Sequence, residues 1–310
     1  MGEHLIRKGN AVSGSDYQLL DFGKGRKLER FGNMILDRPS PPAEPFSVQQ
    51  PAAFWSRANG TFRRSAGLKG SWRWRLSPAP QSWELKTGHF SLLLKPTEVG
   101  HLGIFPEQHA NWDWIHAQTA AFLKKRTAFR VLNLFAYTGG STLAAASALY
   151  EAGKRAEDAE LFFVSHVDSA KNIVQWGRGN AELSGLQEAP IRWIAEDALK
   201  FVERELKRGR KYDAVILDPP SYGHGTRGEV WKLDQHLPIL LKACAALIAE
   251  SPAFVLLTAH SPGLDARGLG RMLREYFPGN FRSEGGAMSL RSETGRILPS
   301  GETARIVWEN

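Results

Sequence analysis

The sequence is short of cysteine: Cys244 stands alone among 310 residues, so no internal disulfide can form. Cysteine and histidine nowhere gather at metal-ligand spacing, so no metal is expected, and a reducing, cytoplasmic setting is. Long apolar runs are missing too. Leu143–Tyr150 is among the longest, well below the ~18 residues a membrane helix requires. The stretch Met1–Gly14 carries early charges and no apolar core, so no export signal is expected. Internal repeats and low-complexity blocks are absent. A composition of 42% hydrophobic and 23% charged residues then excludes a disordered tail protein, a fibre and a disulfide scaffold.

Positive charge is what the chain has in excess. Forty Lys and Arg face 32 Asp and Glu, for a net +8 and a sequence pI of about 9.6. The excess is uneven: residues 1–110 hold 15 Lys/Arg against 9 Asp/Glu, while residues 111–310 hold 25 against 23. A basic first third suits a polyanionic partner, although a solubilising surface is the plainer use of the same charge. Within it, Arg63-Arg64, Lys69, Trp72-Arg73-Trp74-Arg75 and Trp83 interleave cations with indoles. Such surfaces pair phosphate contacts with stacking platforms for unpaired bases. The same alternation suits a strand with tryptophans inward and arginines outward, which still leaves an arginine row facing solvent.

Two patterns divide the chain. Residues 1–14 are expected to be a flexible end and 15–110 a small β-rich accessory domain that binds RNA. Its β-like runs are Tyr17–Phe22, Leu28–Asp37, Ala53–Arg64, Ser71–Leu76 and Trp83–Lys95, with Pro39–Pro51 as a connector. Asn59-Gly60 reads as a two-residue hairpin turn, because both residues tolerate positive φ. Residues 111–310 alternate instead. Helix Trp112–Lys125 precedes strand Arg130–Phe135, helix Ser141–Glu151, strand Leu161–Asp168 and a helix from Ala170 to Leu183. Strand Ile191–Glu196, helix Ala198–Lys207, strand Tyr212–Asp218, helix Trp231–Ala249 and strand Ala253–His260 follow. That rhythm predicts a doubly wound parallel α/β sheet. After a helix near Leu264–Tyr276, Phe281–Leu290 and Ala304–Trp308 read as a terminal hairpin turning at Ser300-Gly301.

Ligands of an open α/β sheet collect at the carboxyl ends of its strands. The first strand ends in Asn133-Leu134-Phe135-Ala136-Tyr137-Thr138-Gly139-Gly140, where glycine lets backbone approach a ligand and the next helix offers free N–H groups. The spacing is not G-x-G-x-x-G, which weakens a nicotinamide oxidoreductase. The second strand ends in Asp168-Ser169, whose carboxylate can accept both ribose hydroxyls. The third ends in Glu196-Asp197-Ala198, able to read an adenine edge, and the fourth in Asp218-Pro219-Pro220-Ser221-Tyr222-Gly223. Helix capping accounts for any one of these acids alone; all in register at the strand ends imply a site.

The segments VLNLFAYTGG from Val131, VDSA from Val167, EDAL from Glu196 and ILDPPSYG from Ile216 resemble successive motifs of class I S-adenosylmethionine-dependent methyltransferases. More narrowly, they resemble the branch that methylates large-subunit ribosomal RNA at cytosine C5 or guanine N7. The resemblance covers roughly residues 100–310. It implies a Rossmann-like methyltransferase sheet with a terminal antiparallel hairpin, S-adenosylmethionine as cofactor and ribosomal RNA as partner. It also implies that Phe135, Ala136 and Gly139 border the methionine moiety, with Asn133 where many relatives have an acid. Asp168 and Ser169 would meet the ribose, and Asp197 and Ala198 the adenine. Phe105 and Gln108, in the pre-sheet stretch from Gly100, would act as lids. Asp218, Pro219 and Pro220 would line the gap to the target base, with Tyr222 stacking on it.

One feature departs from that branch. Cytosine-C5 methylation requires a cysteine thiolate to attack C6, and no cysteine follows the fourth or fifth strand; the fifth ends in Thr258-Ala259-His260-Ser261. Cys244 falls inside a helix as a small hydrophobe. The expected reaction is therefore direct in-line transfer to a purine nitrogen, without a cysteine nucleophile. Guanine N7 needs no base, whereas an exocyclic amine would have its hydrogens held by Asp218 and a main-chain carbonyl near Pro219. His224 and His260 are candidate proton shuttles. The alternatives are a protein or small-molecule acceptor on the same fold, or a non-catalytic RNA-binding protein.

Overall fold

The computed structural model describes residues 16–65, 69–224, 230–261 and 263–308. The expected flexible end, 1–14, lies outside the described residues, as does the side chain of His224. Two compact units emerge, a smaller one from 16–109 with 289–300 and a larger one from 110–288 with 301–308.

The smaller unit begins with a meander of β1 (Tyr17–Gly23), β2 (Arg26–Phe31) and β3 (Met34–Pro39). Lys24 and Gly25, both at positive φ, make the tight first turn, and Gly32 at φ +61 lies in the second. The single run expected over Leu28–Asp37 is thus two strands. A short helix α1 (Ala52–Trp55) leads to β4 (Gly60–Arg64) and β5 (Gly70–Trp74), completing a five-stranded sheet in chain order. The Asn59-Gly60 hairpin is overturned, because β3 and β4 run parallel. Asn59 accepts a hydrogen bond from the Ile35 amide (2.7 Å), and Gly60 is needed because a Cβ there would overlap the Trp74 ring. A separate hairpin pairs β6 (Trp83–Lys86) with β7 (Ser91–Leu94).

Two buried acids hold this unit together. Glu29 accepts from Tyr17 Oη (3.0 Å) and pairs with Arg38 (2.7 Å) and Lys27 (3.1 Å). Burial raises its pKa, but the two cations overcome that and hold the carboxyl below its usual range. Asp21 accepts from Arg296 (2.5 Å), the Gln50 amide and the Trp55 indole (both 2.9 Å). Arg296 belongs to the segment 289–300, which the sequence assigned to the larger domain.

In the larger unit, α2 (His109–Leu123) precedes β8 (Phe129–Leu134), α3 (Gly140–Glu151), β9 (Phe162–Asp168) and α4 (Lys171–Leu183). Then come β10 (Ile191–Ala195), α5 (Ala198–Lys207), β11 (Ala214–Leu217) and a small hairpin of β12 (Tyr222–His224) and β13 (Val230–Lys232). The chain continues with α6 (Leu233–Leu247), β14 (Phe254–Ala259), α7 (Ala266–Tyr276), β15 (Phe281–Arg291) and β16 (Ile297–Trp308). Sheet order is β10-β9-β8-β11-β14-β16-β15. The first five strands are parallel, and β16 runs antiparallel to β14. This is the doubly wound sheet with a terminal hairpin that the sequence implied. The hairpin turns at Ser292–Arg296, where the Ser292 amide donates to the Arg296 carbonyl (2.8 Å). Ser300-Gly301 therefore lies inside β16 and is no turn.

The central parallel strands are mostly apolar because helices cover both faces; β11 (AVIL) and β14 (FVLLTA) are buried along their whole length. Helix α6 shows why a helix follows β13. Its buried residues Leu233, Leu237, Leu240, Leu241, Cys244 and Leu247 recur at three- and four-residue spacing. They share a core with Val215, Leu217, Val255 and Leu257. Each fully buried leucine contributes about 1.5–3 kcal/mol. Cys244 is buried among these leucines, with burial pushing its thiol pKa far up.

Candidate active site

Strand register sets the site. Leu134 pairs with both Val167 and Leu217, Leu217 with Leu257, and Ala195 with Asp168. The loops after β8, β9, β10, β11 and β14 consequently leave one edge of the sheet side by side. The strand order reverses between β8 and β11, the switch point at which a crevice opens. A cavity of about 700 Å³ lined by Phe122, Arg126 and Val307 lies at the opposite, amino ends of β8 and β14.

The loop after β8 is strained in a regular way. Phe135 (φ +57), Tyr137 (φ +49) and Gly139 (φ +100) are all left-handed, and for the two aromatics this conformation costs of order 1–3 kcal/mol each. Surrounding bonds hold it. Ala136 N–H donates to the Val167 carbonyl (3.0 Å) and Tyr137 N–H to Asp168 Oδ2 (2.9 Å), while Asn180 Nδ2 donates to the Thr138 carbonyl (2.9 Å). Gly139 begins α3 without any side-chain cap, so the first-turn N–H groups remain for a ligand anion. Gly140 has its own reason: a Cβ there would come within 2.7 Å of the Trp112 ring.

Asp168, at the end of β9, is partly exposed. Its Oδ2 serves Tyr137 and its Oδ1 the Ala170 amide (3.0 Å). Burial raises its pKa, and the two amides lower it in part. Each oxygen keeps a second lone pair, enough for a ribose diol. Asp197 caps α5, its Oδ1 accepting from the Lys200 amide (3.0 Å); Ala198 beside it is buried. Asn133 is only 1% exposed, and its Nδ2 donates to Thr142 Oγ1 (2.8 Å). Thr142 Oγ1 in turn meets His166 Nδ1 (2.9 Å). Asn133 therefore braces the loop from behind. Burial drives the His166 pKa down to about 3, so this ring is neutral. Phe105, half-buried, and Gln108, buried, belong to the smaller unit.

The other side of the crevice is built from β11, β14 and the small hairpin. Asp218 Oδ1 accepts from Thr258 Oγ1 and lies 3.4 Å from His260 Nε2. Pro219 is buried and Pro220 exposed. Ser261 Oγ donates to Ser221 Oγ (2.6 Å), joining the loops after β14 and β11. Tyr222 is 55% exposed. Trp231, expected to open a helix, instead sits on β13. Its Nε1 donates to the Pro220 carbonyl (2.7 Å), and its ring lies 4.9 Å from that of Phe135. One indole thus ties the β8 loop to the Asp-Pro-Pro loop. Its sequence signal was hidden because Trp-Lys-Leu-Asp reads as the start of the helix. Thr142, His166, Asn180 and Thr258 carry no motif signal at all.

These residues fit an adenosyl sulfonium: an uncapped helix start for a carboxylate, a partly buried acid for the ribose, and a second set of polar groups facing the gap. A family model for S-adenosylmethionine-dependent methyltransferases matches residues 72–259. The crystal structure of the SAM-dependent methyltransferase from Agrobacterium tumefaciens is similar over 96% of this chain and 92% of that one, at 32% identity and TM-score 0.85. The large-subunit ribosomal RNA methyltransferase I of Erwinia tasmaniensis is 29% identical over 64% of this chain and 48% of its own. The methyltransferase K of Neisseria meningitidis is 29% identical over 32% of this chain and 25% of its own. The chain thus spans about half the length, or less, of these curated relatives. Fold, crevice and likeness agree, and the chain belongs to the S-adenosylmethionine-dependent methyltransferase family.

Proposed function

We propose that the protein is a cytoplasmic enzyme that methylates large-subunit ribosomal RNA at a purine nitrogen, by in-line transfer without a cysteine nucleophile. The observation that carries this is the acceptor side of the crevice. Asp218, Thr258, His260, Ser221 and Ser261 gather there, while Cys244 is fully buried in the α6 core. A reaction needing a thiolate has no thiolate among the described residues near the crevice. The ribosomal RNA relatives support the substrate class.

S-adenosylmethionine, when bound, supplies a methyl group already activated for displacement. The chain's own part is placement, worth up to roughly 7–11 kcal/mol when donor and acceptor are held in line. In this reading Phe135, Ala136 and Gly139 border the methionine moiety. Asp168 and Ser169 hold the ribose, and Asp197 and Ala198 border the adenine. Asp218, Pro219 and Pro220 present the acceptor, with the exposed Tyr222 ring offering a face on which an unstacked base can lie.

The smaller unit supports an RNA partner through its surface. Trp72 and Trp74 turn inward, their rings stacked at 5.1 Å, while Arg63 and Arg73 project from the opposite face of β4 and β5. In this reading residues 15–110 grip phosphates and 111–310 transfer the methyl group. Among the described residues, no helix is long and apolar enough to cross a membrane. The test is nucleoside mass spectrometry of ribosomal RNA from cells with and without the protein, beside transfer of labelled methyl to purified RNA and protein. Loss of one methylated purine is the expected result. A missing 5-methylcytidine, or label confined to protein, overturns the proposal.

A further inference from the structure

Helix α7 carries charge in a pattern that its own stability does not explain. Its apolar residues Leu269 and Leu273 are buried in the core, whereas Arg267, Arg271 and Arg274 are exposed on the outer face. Spacings of four and three residues put the three guanidinium groups on one stripe about 10 Å long. Like charges at those spacings repel and weaken a helix. Arg267 also adds a cation to the first turn, where the helix dipole is already positive. The neighbouring acids are engaged elsewhere. Asp265 accepts from the Gly268 amide (2.7 Å) and Glu302 from the Ala266 amide (3.1 Å). Glu284 on β15 serves Arg305 (3.5 Å) and Arg282 (3.8 Å), and Glu275 bonds the Tyr276 hydroxyl. Among the described residues none of the three arginines has a hydrogen-bond or ion-pair partner. Other arginines of this unit are paired, as Arg126 is with Asp213 (2.7 Å) and Arg208 with Glu205 (3.1 Å). Glycine at 268 and 270 keeps the helix surface low. The Arg271 and Arg274 guanidinium groups lie back along it, each 3.7 Å from where a Cβ would stand.

The place of the stripe gives it a use. Helix α7 leaves the loop after β14, whose Ser261 reaches Ser221 at the crevice (2.6 Å). Arg267 therefore stands nearest the crevice rim and Arg274 farthest from it. A row of unpaired guanidinium forks that costs its helix stability suits a partner with regularly spaced anions, and the fork matches phosphate. The apolar face of α7 is spent on the core, so a membrane surface would have nothing to take up. We infer that α7 is an RNA contact belonging to the transferase unit itself. Arg267, Arg271 and Arg274 hold successive phosphates of the strand that flanks the target nucleotide and so present its base to the crevice. The inference rests on the ribosomal RNA reading above and names a surface that meets the substrate. Taking a nucleotide out of its stack distorts the backbone on either side, and phosphate contacts close by hold that backbone in position without reading sequence.

Two measurements test it, both on transcribed, unmodified 23S ribosomal RNA with labelled S-adenosylmethionine. In the first, Arg267→Gln, Arg271→Gln and Arg274→Gln are combined. The Michaelis constant for RNA should rise roughly tenfold, and the slope of log affinity against log salt should shrink by about two, as three lost contacts to a single strand require. The rate at saturating RNA, the calorimetric affinity for the donor and the melting temperature should not fall, since Gln keeps the helix and removes the repulsion. A second triple variant, Lys124→Gln with Lys125→Gln and Arg210→Gln, removes the same charge from exposed positions that precede β8 and β11, at the ends of those strands away from the crevice. It should stay near wild type. Equal losses in the two variants would make net charge the whole effect and overturn the inference, as would an unchanged Michaelis constant in the α7 variant; label entering RNA would still leave the proposed function standing. Label confined to protein would remove the RNA reading and the inference with it. The second measurement uses Arg271→Cys, whose thiol is the one exposed cysteine because Cys244 is buried. Carrying a short photocrosslinker, it should join the RNA within a few nucleotides of the methylated one. Crosslinks scattered along the RNA, or none, overturn the inference.

Discussion

Acid should destabilise the fold through His166. The ring is fully buried behind the β8 loop, linked through Thr142 to Asn133, and burial lowers its pKa from 6.5 to about 3. In the unfolded chain the imidazole binds a proton near pH 6.5, whereas in the folded chain it stays neutral until about pH 3. A lowered folded pKa means the unfolded state takes up protons first as pH falls. The contribution is complete above about pH 6.5 and is lost on acidification toward pH 3. Between pH 8 and pH 5 these two values correspond to about 2 kcal/mol, and the full window to roughly 4–5 kcal/mol. The assay is urea unfolding of wild type and His166→Gln across pH 5–8. The variant's own packing loss is independent of pH, so the stability gap between the two proteins isolates the titration. Relative to H166Q, wild type should lose about 2 kcal/mol over that range. Parallel stability curves, or an NMR titration placing His166 near 6.5, would refute the reasoning.

Three further outcomes are expected. Asp168→Ala removes the proposed ribose partner and two loop anchors; with charge-assisted hydrogen bonds at about 1.5–3 kcal/mol each, donor affinity by calorimetry should drop at least tenfold. Arg63→Ala with Arg73→Ala should weaken RNA binding and reduce the slope of log affinity against log salt by about two, as two lost phosphate contacts require; an unchanged slope would remove that face from the interface. Cys244→Ala should retain methyl transfer while losing roughly 1 kcal/mol of stability from the α6 core, and loss of transfer in a folded C244A protein would restore cysteine chemistry.

Periodicity made the larger unit legible. Its β-α alternation from Arg130 to His260 emerged with only small shifts at element ends, because strands covered on both faces must be apolar and each helix must carry an apolar stripe. The motif residues after the strands were legible for a related reason, since any crevice-lining loop of this fold leaves a strand's carboxyl end. Turn chemistry was the weaker guide. Asn59-Gly60 carries a hairpin signature, yet its glycine serves the Trp74 ring. Ser300-Gly301 looks like a turn, yet its glycine sits within β16 against His260. In both cases the need for glycine came from a neighbour distant in sequence.

The sequence alone determined the class of fold, the order of its strands' chemical endings and the presence of a single cysteine, since each depends on local pattern or on composition. Tertiary structure decided what those endings do. Asn133 turned inward to brace a loop, Asp197 took up a helix cap, and Trp231 bridged two loops, at Phe135 and Pro220, that lie 85 residues apart. His260 gained an acid partner 42 positions away. Such roles depend on which strands become neighbours and in what register, and that is set by burial of the whole sheet rather than by any short segment of it.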